Sequence, residues 1–223
     1  MSYYAQRLSG ERLRQCYDLA QLRVKQYLQA EIDHVLQRLR EEDSVLELGC
    51  GYGRIALELA KKVSHVTGID TAHESIELGK QLAGKATTCE FVDMDAANLT
   101  FPDNSFDAVL CLQNGICAFG VDKTRLVREA ARVCRPKGRV IFSSYAKRFW
   151  PHRLEWFELQ SAHGLLGEID RKATGEGVIV CKDGFKADFM QPSDFEALWK
   201  SLGLIPKIME VDNSITFCET EIP

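Results

Sequence analysis

The sequence predicts an α/β fold: a doubly wound, mostly parallel seven-stranded sheet with a C-terminal antiparallel strand, N-terminal helices and a small β-hairpin insertion. Three observations predict it. From residue 44 onward, short apolar runs alternate with segments of helical period, and strands that alternate with helices imply right-handed crossovers and a parallel sheet. The runs are nearly continuous in apolar character, as strands covered on both faces require. Near the C-terminal end, two further runs are joined by Asp212 and Asn213, a connection so short that the pair must be antiparallel.

Taken in order, residues 9–40 read as helix: Leu13, Tyr17, Ala20, Val24, Leu28, Ile32, Val35 and Leu39 recur at three- and four-residue spacing, with a break near Ala20. VLELGC (45–50) is the first strand, followed by a helix over 54–62. HVTGID (65–70) is the second, with a helix over 73–84. TTCEFVD (87–93) and DAVLCL (107–112) are the third and fourth. A helix over 123–134 stops at Pro136 and Gly138, and GRVIFSSY (138–145) is the fifth strand. A helix over 148–164 starts at Pro151. Residues 174–180 and 185–190 flank Lys182, Asp183 and Gly184, and the Asp-Gly pair predicts a hairpin. Ser193 or Asp194 caps a helix that runs to Leu202 and closes at Gly203, before strands at 205–211 and 214–219. One domain over 1–223 accommodates all of this: an N-terminal helical lid (1–43), a ligand-binding core (44–145), and acceptor-side and C-terminal sheet elements (146–223).

The formal net charge of −4 gives the chain no general attraction to phosphate backbones, so nucleic acid is not expected as a partner. Arg7, Arg12, Arg14 and Arg23 are scattered as solvated helix faces rather than gathered in a basic run. No stretch approaches the ~20 apolar residues of a membrane span, and the N-terminus lacks the apolar core of a signal peptide. A cytoplasmic location is expected. The eight cysteines show no C-x-x-C spacing, and most sit in apolar runs. Free thiols and no metal site are expected.

The most informative segment is ELGCGYG (47–53), a buried strand that ends in a loop with glycines at 49, 51 and 53. Such a loop turns sharply and lets a ligand approach the main chain, at the strand ends where open α/β sheets bind ligands. A dinucleotide loop reads G-x-G-x-x-G, but Arg54 stands at its third glycine. Glu47 repels a pyrophosphate and suits a cation. A nicotinamide-linked reductase is therefore the weaker reading. Asp70 ends the second strand, followed by Thr71, and is placed to accept the hydroxyls of a ribose.

These motifs resemble those of the class I S-adenosylmethionine-dependent methyltransferases over residues 44–145. ELGCGYG is similar to the family's first motif, which implies that Glu47, Gly49, Cys50, Gly51 and Gly53 hold the methionine end. The resemblance assigns Asp70 and Thr71 to the ribose. FVDMDA (91–96), Leu99 and FPDNSFD (101–107) resemble a signature in which Asp95 and Ala96 flank the adenine, with Thr100 where proline is usual. Residues 126–145, with Pro136, Lys137 and Gly138, resemble the late motif, although Cys134 and Arg139 replace typical residues. CLQNGICAF (111–119) is similar to the segment that lines the transferable methyl group, which implies that Leu112, Gln113 and Asn114 face nucleotide and acceptor.

The activity implied is transfer of a methyl group from S-adenosylmethionine to a small-molecule acceptor by in-line displacement. Alignment alone supplies ~7–11 kcal/mol of such a barrier, so a catalytic triad is not required. Acceptor pockets in this fold draw on the N-terminal helices and the segment after the fifth strand. That points to Tyr3, Tyr4 and Tyr17 on one side, and to Tyr145, Arg148, Trp150, His152, Arg153 and Trp156 on the other. Tyr4, Tyr17, Asn114, Arg148 and Trp150 are the candidate acceptor contacts. His152 is the candidate base, its ordinary pKa lying near neutrality, and Tyr145 accompanies it. Partners expected are the acceptor and, optionally, a second copy in a homodimer. Two alternatives stand beside this: a non-catalytic binding module, and an arsenite or thiol methyltransferase, suggested by the cysteines although Cys50 and Cys111 lie within the nucleotide-side motifs.

Overall fold

A computed structural model describes residues 3–85 and 88–223. Three helices open the chain, α1 (Tyr3–Arg7), α2 (Gly10–Asp18) and α3 (Leu22–Leu36). Then come β1 (Ser44–Leu48), α4 (Ala56–Leu59), β2 (His65–Asp70), α5 (His73–Ala83), β3 (Cys89–Asp93), β4 (Phe106–Cys111), α6 (Gly115–Ala118), α7 (Lys123–Val133) and β5 (Cys134–Tyr145). The last third holds α8 (Trp150–Ala162), β6 (Ile179–Val180), β7 (Lys186–Ala187), α9 (Pro192–Ser201), β8 (Lys207–Val211) and β9 (Ile215–Glu221).

The main sheet has seven strands in the order β3-β2-β1-β4-β5-β9-β8. β1 to β5 are mutually parallel, β9 runs antiparallel to β5, and β8 pairs antiparallel with β9. This is the architecture expected. Strand order reverses between β1 and β4, and the crevice at such a switch point is where open sheets bind ligands. β6 and β7 form the expected hairpin, shorter than the runs that signal it.

Alternation along the strands serves two faces. Val45, Leu110, Ile141 and Phe217 pack under the N-terminal helices with Val24, Tyr27, Ile32 and Val35. Their neighbours Leu46, Val109 and Phe142 pack on the other face with Leu126, Val133, Phe195 and Trp199 of α7 and α9. Residues 9–40 do divide near Ala20, into α2 and α3. Asp122 caps α7 by accepting from the Arg125 N–H at 2.7 Å. Asp212 and Asn213 both lie at positive φ, 55° and 52°, the mirror-image turn that joins twisted strands best.

Several boundaries differ from the sequence pattern, among them the start of the fifth strand, at Cys134 rather than 138, so that Pro136 lies within the strand. The helix expected over 54–62 is confined to Ala56–Leu59, because the glycine loop uses up the chain before it. α9 is capped by Gln191 rather than Ser193 or Asp194: Asp194 sits at the third helical position and its carboxylate accepts from the Gln191 N–H at 2.9 Å. α6 carries no apolar period long enough to announce it. The third strand begins at Cys89, and Thr87 lies outside the described residues. Among the described residues, no helix is long and apolar enough to cross a membrane.

Candidate active site

Beyond β1 the chain turns through Gly49, Gly51 and Gly53 at φ +71°, +55° and +84°, conformations that L side chains rarely adopt. The turn is tied to β2: the Gly49 and Cys50 N–H groups donate to the Ile69 carbonyl at 2.8 and 2.9 Å. Asp70 braces it, one carboxylate oxygen accepting from the Gly51 N–H at 2.9 Å and the other from the Ala72 N–H at 2.8 Å. A side chain on Gly51 would meet Leu13 at 2.9 Å. One on Gly53 would meet the Phe91 ring at 2.4 Å, so this glycine serves the packing of loop on β3.

A cavity of about 490 Å³ opens at this turn, within the range that holds a cofactor-sized ligand. One part of its lining is Glu47, Gly49, Cys50, Gly51, Asp70, Thr71, Asp95 and Ala96, and Leu112 and Gln113 line it as well. Another part is aromatic, with Tyr4, Tyr17, Tyr145 and Trp156. The Tyr17 ring packs against Trp156 at 5.8 Å and Tyr52 at 6.0 Å. These fourteen residues, all singled out by sequence, thus meet at one cavity.

Charge is divided unevenly along it. Glu47 is 3% exposed and its Oε2 has no hydrogen-bond partner. Burial pushes its pKa up to about 8, against the pull of the Arg54 guanidinium. The Asp70 pKa is raised by burial too, opposed by the N–H groups of Ala72, Gly51 and Thr71. Burial raises the Tyr4, Tyr17 and Tyr145 phenols above their ordinary value, so these rings present neutral hydroxyls.

Five expected site residues lie elsewhere. Gly53 is under Phe91, as above. Asn114 is buried behind the cavity wall: its amide donates to the Asp188 carbonyl at 2.9 Å and accepts from the Ser144 hydroxyl at 2.6 Å. Arg148 is 74% exposed beside Glu210 and Asn213, which does not fit an acceptor contact. Trp150 lines a separate cavity of about 110 Å³ next to Tyr145 and Arg153. His152 packs at the far side of Phe149, ring centroids 5.8 Å apart, and does not line the main cavity. The cause is common: α8 turns Trp156, Phe157 and Gln160 inward one and two turns beyond these positions.

One buried residue escaped the sequence reading. Glu31 of α3 is wholly buried and accepts from the Gln113 N–H at 3.0 Å and the Ser143 hydroxyl at 2.5 Å. Its signal was present: an acid on the apolar stripe of Val24, Leu28, Ile32 and Val35. Among the described residues, no group of three His, Cys, Asp or Glu side chains gathers to hold a metal ion.

Against this geometry the similarities to known proteins can be set. A family model described as a methyltransferase domain matches residues 45–138. The 27-O-demethylrifamycin SV methyltransferase of Amycolatopsis mediterranei is 29% identical over 77% of this chain and 57% of its own length. The 2-methyl-6-phytyl-1,4-hydroquinone methyltransferase of Synechocystis is 32% identical over 56% of this chain and 41% of its own. The chain spans about half the length of the curated relatives it matches. Among solved structures, a SAM-dependent methyltransferase from Methanosarcina mazei superposes with a TM-score of 0.61 at 24% identity, over 84% of this chain and 95% of the other; that likeness speaks to the fold.

Proposed function

We propose that the chain is a class I S-adenosylmethionine-dependent methyltransferase, a reading supported by the match of residues 45–138 to a methyltransferase-domain model, and that it methylates a small-molecule acceptor held by the aromatic part of its cavity. The observation that carries the reading is the continuity of that cavity. One cavity is lined by the glycine turn and Asp70, by Leu112 and Gln113, and by Tyr4, Tyr17, Tyr145 and Trp156.

The residues present fit the nucleotide. Gly49 and Gly51 border the cavity and have no room for a side chain, since a Cβ would meet the Phe119 ring at 2.3 Å and Leu13 at 2.9 Å, so an amino-acid end would lie against main chain there. The Glu47 carboxyl, with an unpartnered buried oxygen and a pKa pushed up to about 8, is a group that would give up its proton to a ligand that brings cationic charge. Asp70 retains lone pairs for ribose hydroxyls beyond those used by Gly51 and Ala72. Asp95 and Ala96 border the site for the base. When bound, S-adenosylmethionine would supply an electrophilic methyl carbon for transfer to an acceptor lone pair, with S-adenosylhomocysteine leaving as a neutral thioether.

The chain's own part is positioning and exclusion of water. The aromatic rings clamp a flat or apolar acceptor, and Leu112 and Gln113 line the same cavity. No histidine or lysine lines the cavity among the described residues, and His152 is not retained as base. Small-molecule acceptors appear in the names of the relatives, a rifamycin precursor and a phytyl hydroquinone. The test is incubation with methyl-labelled S-adenosylmethionine and a metabolite panel. Label is expected in a small product. Binding of the nucleotide with no transfer to any acceptor is the result a non-catalytic module would give.

A further inference from the structure

Gln113 lines the cavity, and its side-chain amide is not free to turn. Its Nε2 donates to Glu31 at 2.6 Å and to the Tyr27 hydroxyl at 2.9 Å. Both of its hydrogens are thereby used. The backbone is held as well: Gln113 and Asn114 lie at φ 54° and 59°, conformations that non-glycine residues keep only when their surroundings over-determine them. Glu31 supplies that constraint, since it accepts from the Gln113 main-chain N–H at 3.0 Å and from Ser143 at 2.5 Å. A flipped amide would set its carbonyl oxygen against the Glu31 carboxylate. The orientation is therefore fixed by charge, and the carbonyl Oε1 is left with no hydrogen-bond partner among the described residues.

We infer that Gln113 selects the methyl acceptor: its carbonyl receives a hydrogen bond from an N–H beside the nucleophilic atom, so the substrate is a neutral amine carried on an aromatic or apolar body, and Glu31 acts as the positioning residue. The inference rests on the proposed methyltransferase function and narrows its substrate class. An amide carbonyl orients a donor but takes no proton. The tyrosines that line the cavity are held neutral, and His152 is off it. A hydroxyl, thiol or carbon acceptor needs its proton removed to gain strength as a nucleophile, and nothing on this side removes it. A neutral amine already carries its lone pair. Its N–H points that lone pair by bonding to Oε1, and the surplus proton of the methylated product leaves to solvent.

Three rings of the same shape separate the outcomes: p-toluidine, p-cresol and p-xylene. Their binding to the S-adenosylhomocysteine-loaded protein is measured by calorimetry, with label transfer from S-adenosylmethionine in parallel. The intact protein is expected to bind p-toluidine and p-cresol, both donors to the carbonyl, about five- to tenfold tighter than p-xylene, the worth of one hydrogen bond, and to transfer label to the amine alone. Gln113→Leu is expected to lose the binding preference. Glu31→Gln is expected to shift the Gln113 side-chain amide signals in 15N spectra and to weaken the preference, while affinity for S-adenosylhomocysteine stays within about twofold. Equal binding of the three rings, binding of none, or a preference that survives Gln113→Leu overturns the assignment. Failure of S-adenosylhomocysteine to bind at all is a different result, which strikes the underlying function instead.

Discussion

Glu47 offers a test of the site that needs no acceptor. Its carboxyl is almost fully buried, lacks a partner at Oε2, and has a pKa pushed up to about 8 from 4.5. The folded chain therefore keeps a proton that the unfolded chain has already lost, throughout the interval between those values. Where the folded state binds more protons, stability falls as pH rises. At about 1.4 kcal/mol per pH unit, the loss from pH 5 to pH 8 is on the order of 4 kcal/mol. Glu47→Gln mimics the neutral acid and is expected to abolish most of this slope, so that at pH 8 the variant is the more stable protein by a similar amount. The carboxylates with lowered pKa values, Asp183, Asp212, Glu129 and Glu219, act below this window, and Asp70 is left to contribute the remainder. Urea unfolding at several pH values between 5 and 8 reads the effect. A variant whose stability falls as steeply as that of the parent would refute the reasoning, because the proton would then belong to another group.

Further outcomes follow from the same geometry. Asp70→Ala removes both the ribose acceptor and the brace on Gly51 and Ala72; calorimetry is expected to show S-adenosylhomocysteine affinity falling about 100-fold, roughly 3 kcal/mol, with Asp70→Asn intermediate. Gly51→Val forces a β-branched residue to φ +55° against Leu13, at a cost of roughly 1–2 kcal/mol, read as a melting point lower by about 4 °C together with loss of nucleotide binding. Arg148→Ala, at an exposed position outside the cavity, is expected to leave kcat/KM within about twofold, since surface ion pairs of this kind contribute little. Burial raises the thiol pKa at all eight cysteines, so iodoacetamide at neutral pH is expected to label the native protein slowly and the unfolded protein at every cysteine; rapid native labelling of a cysteine at the cavity would revive a thiol-based chemistry.

Much of the fold was legible because its signals are local. The alternation of apolar runs with helical segments marks the parallel strands, and Asp212-Asn213 marks the terminal hairpin down to its turn type. The nucleotide half of the site was legible for a related reason: a glycine turn and the strand-end Asp70 are adjacent in sequence to the strands that place them. The acceptor half was not. Whether His152 or Trp156 of α8 faces the cavity depends on the rotation of one helix against the sheet, and the periodic signal in α8 is weak because aromatic and apolar residues surround it. Glu31 was overlooked for the opposite reason. It interrupts a stripe of Val24, Leu28, Ile32 and Val35, and its meaning appears only when α3 meets Gln113 across 82 residues of chain.

The central claim is that the turn at 49–53 and the carboxylate of Asp70 hold S-adenosylmethionine with its methyl directed at the aromatic chamber. A crystal structure with S-adenosylhomocysteine tests it most directly. The account expects the amino-acid end against Gly49 and Gly51, the ribose on Asp70, and the sulfur facing Gln113 and Tyr145. A nucleotide bound anywhere else, or a turn closed over by Phe119 and Leu13 with no nucleotide at saturating concentration, would contradict it.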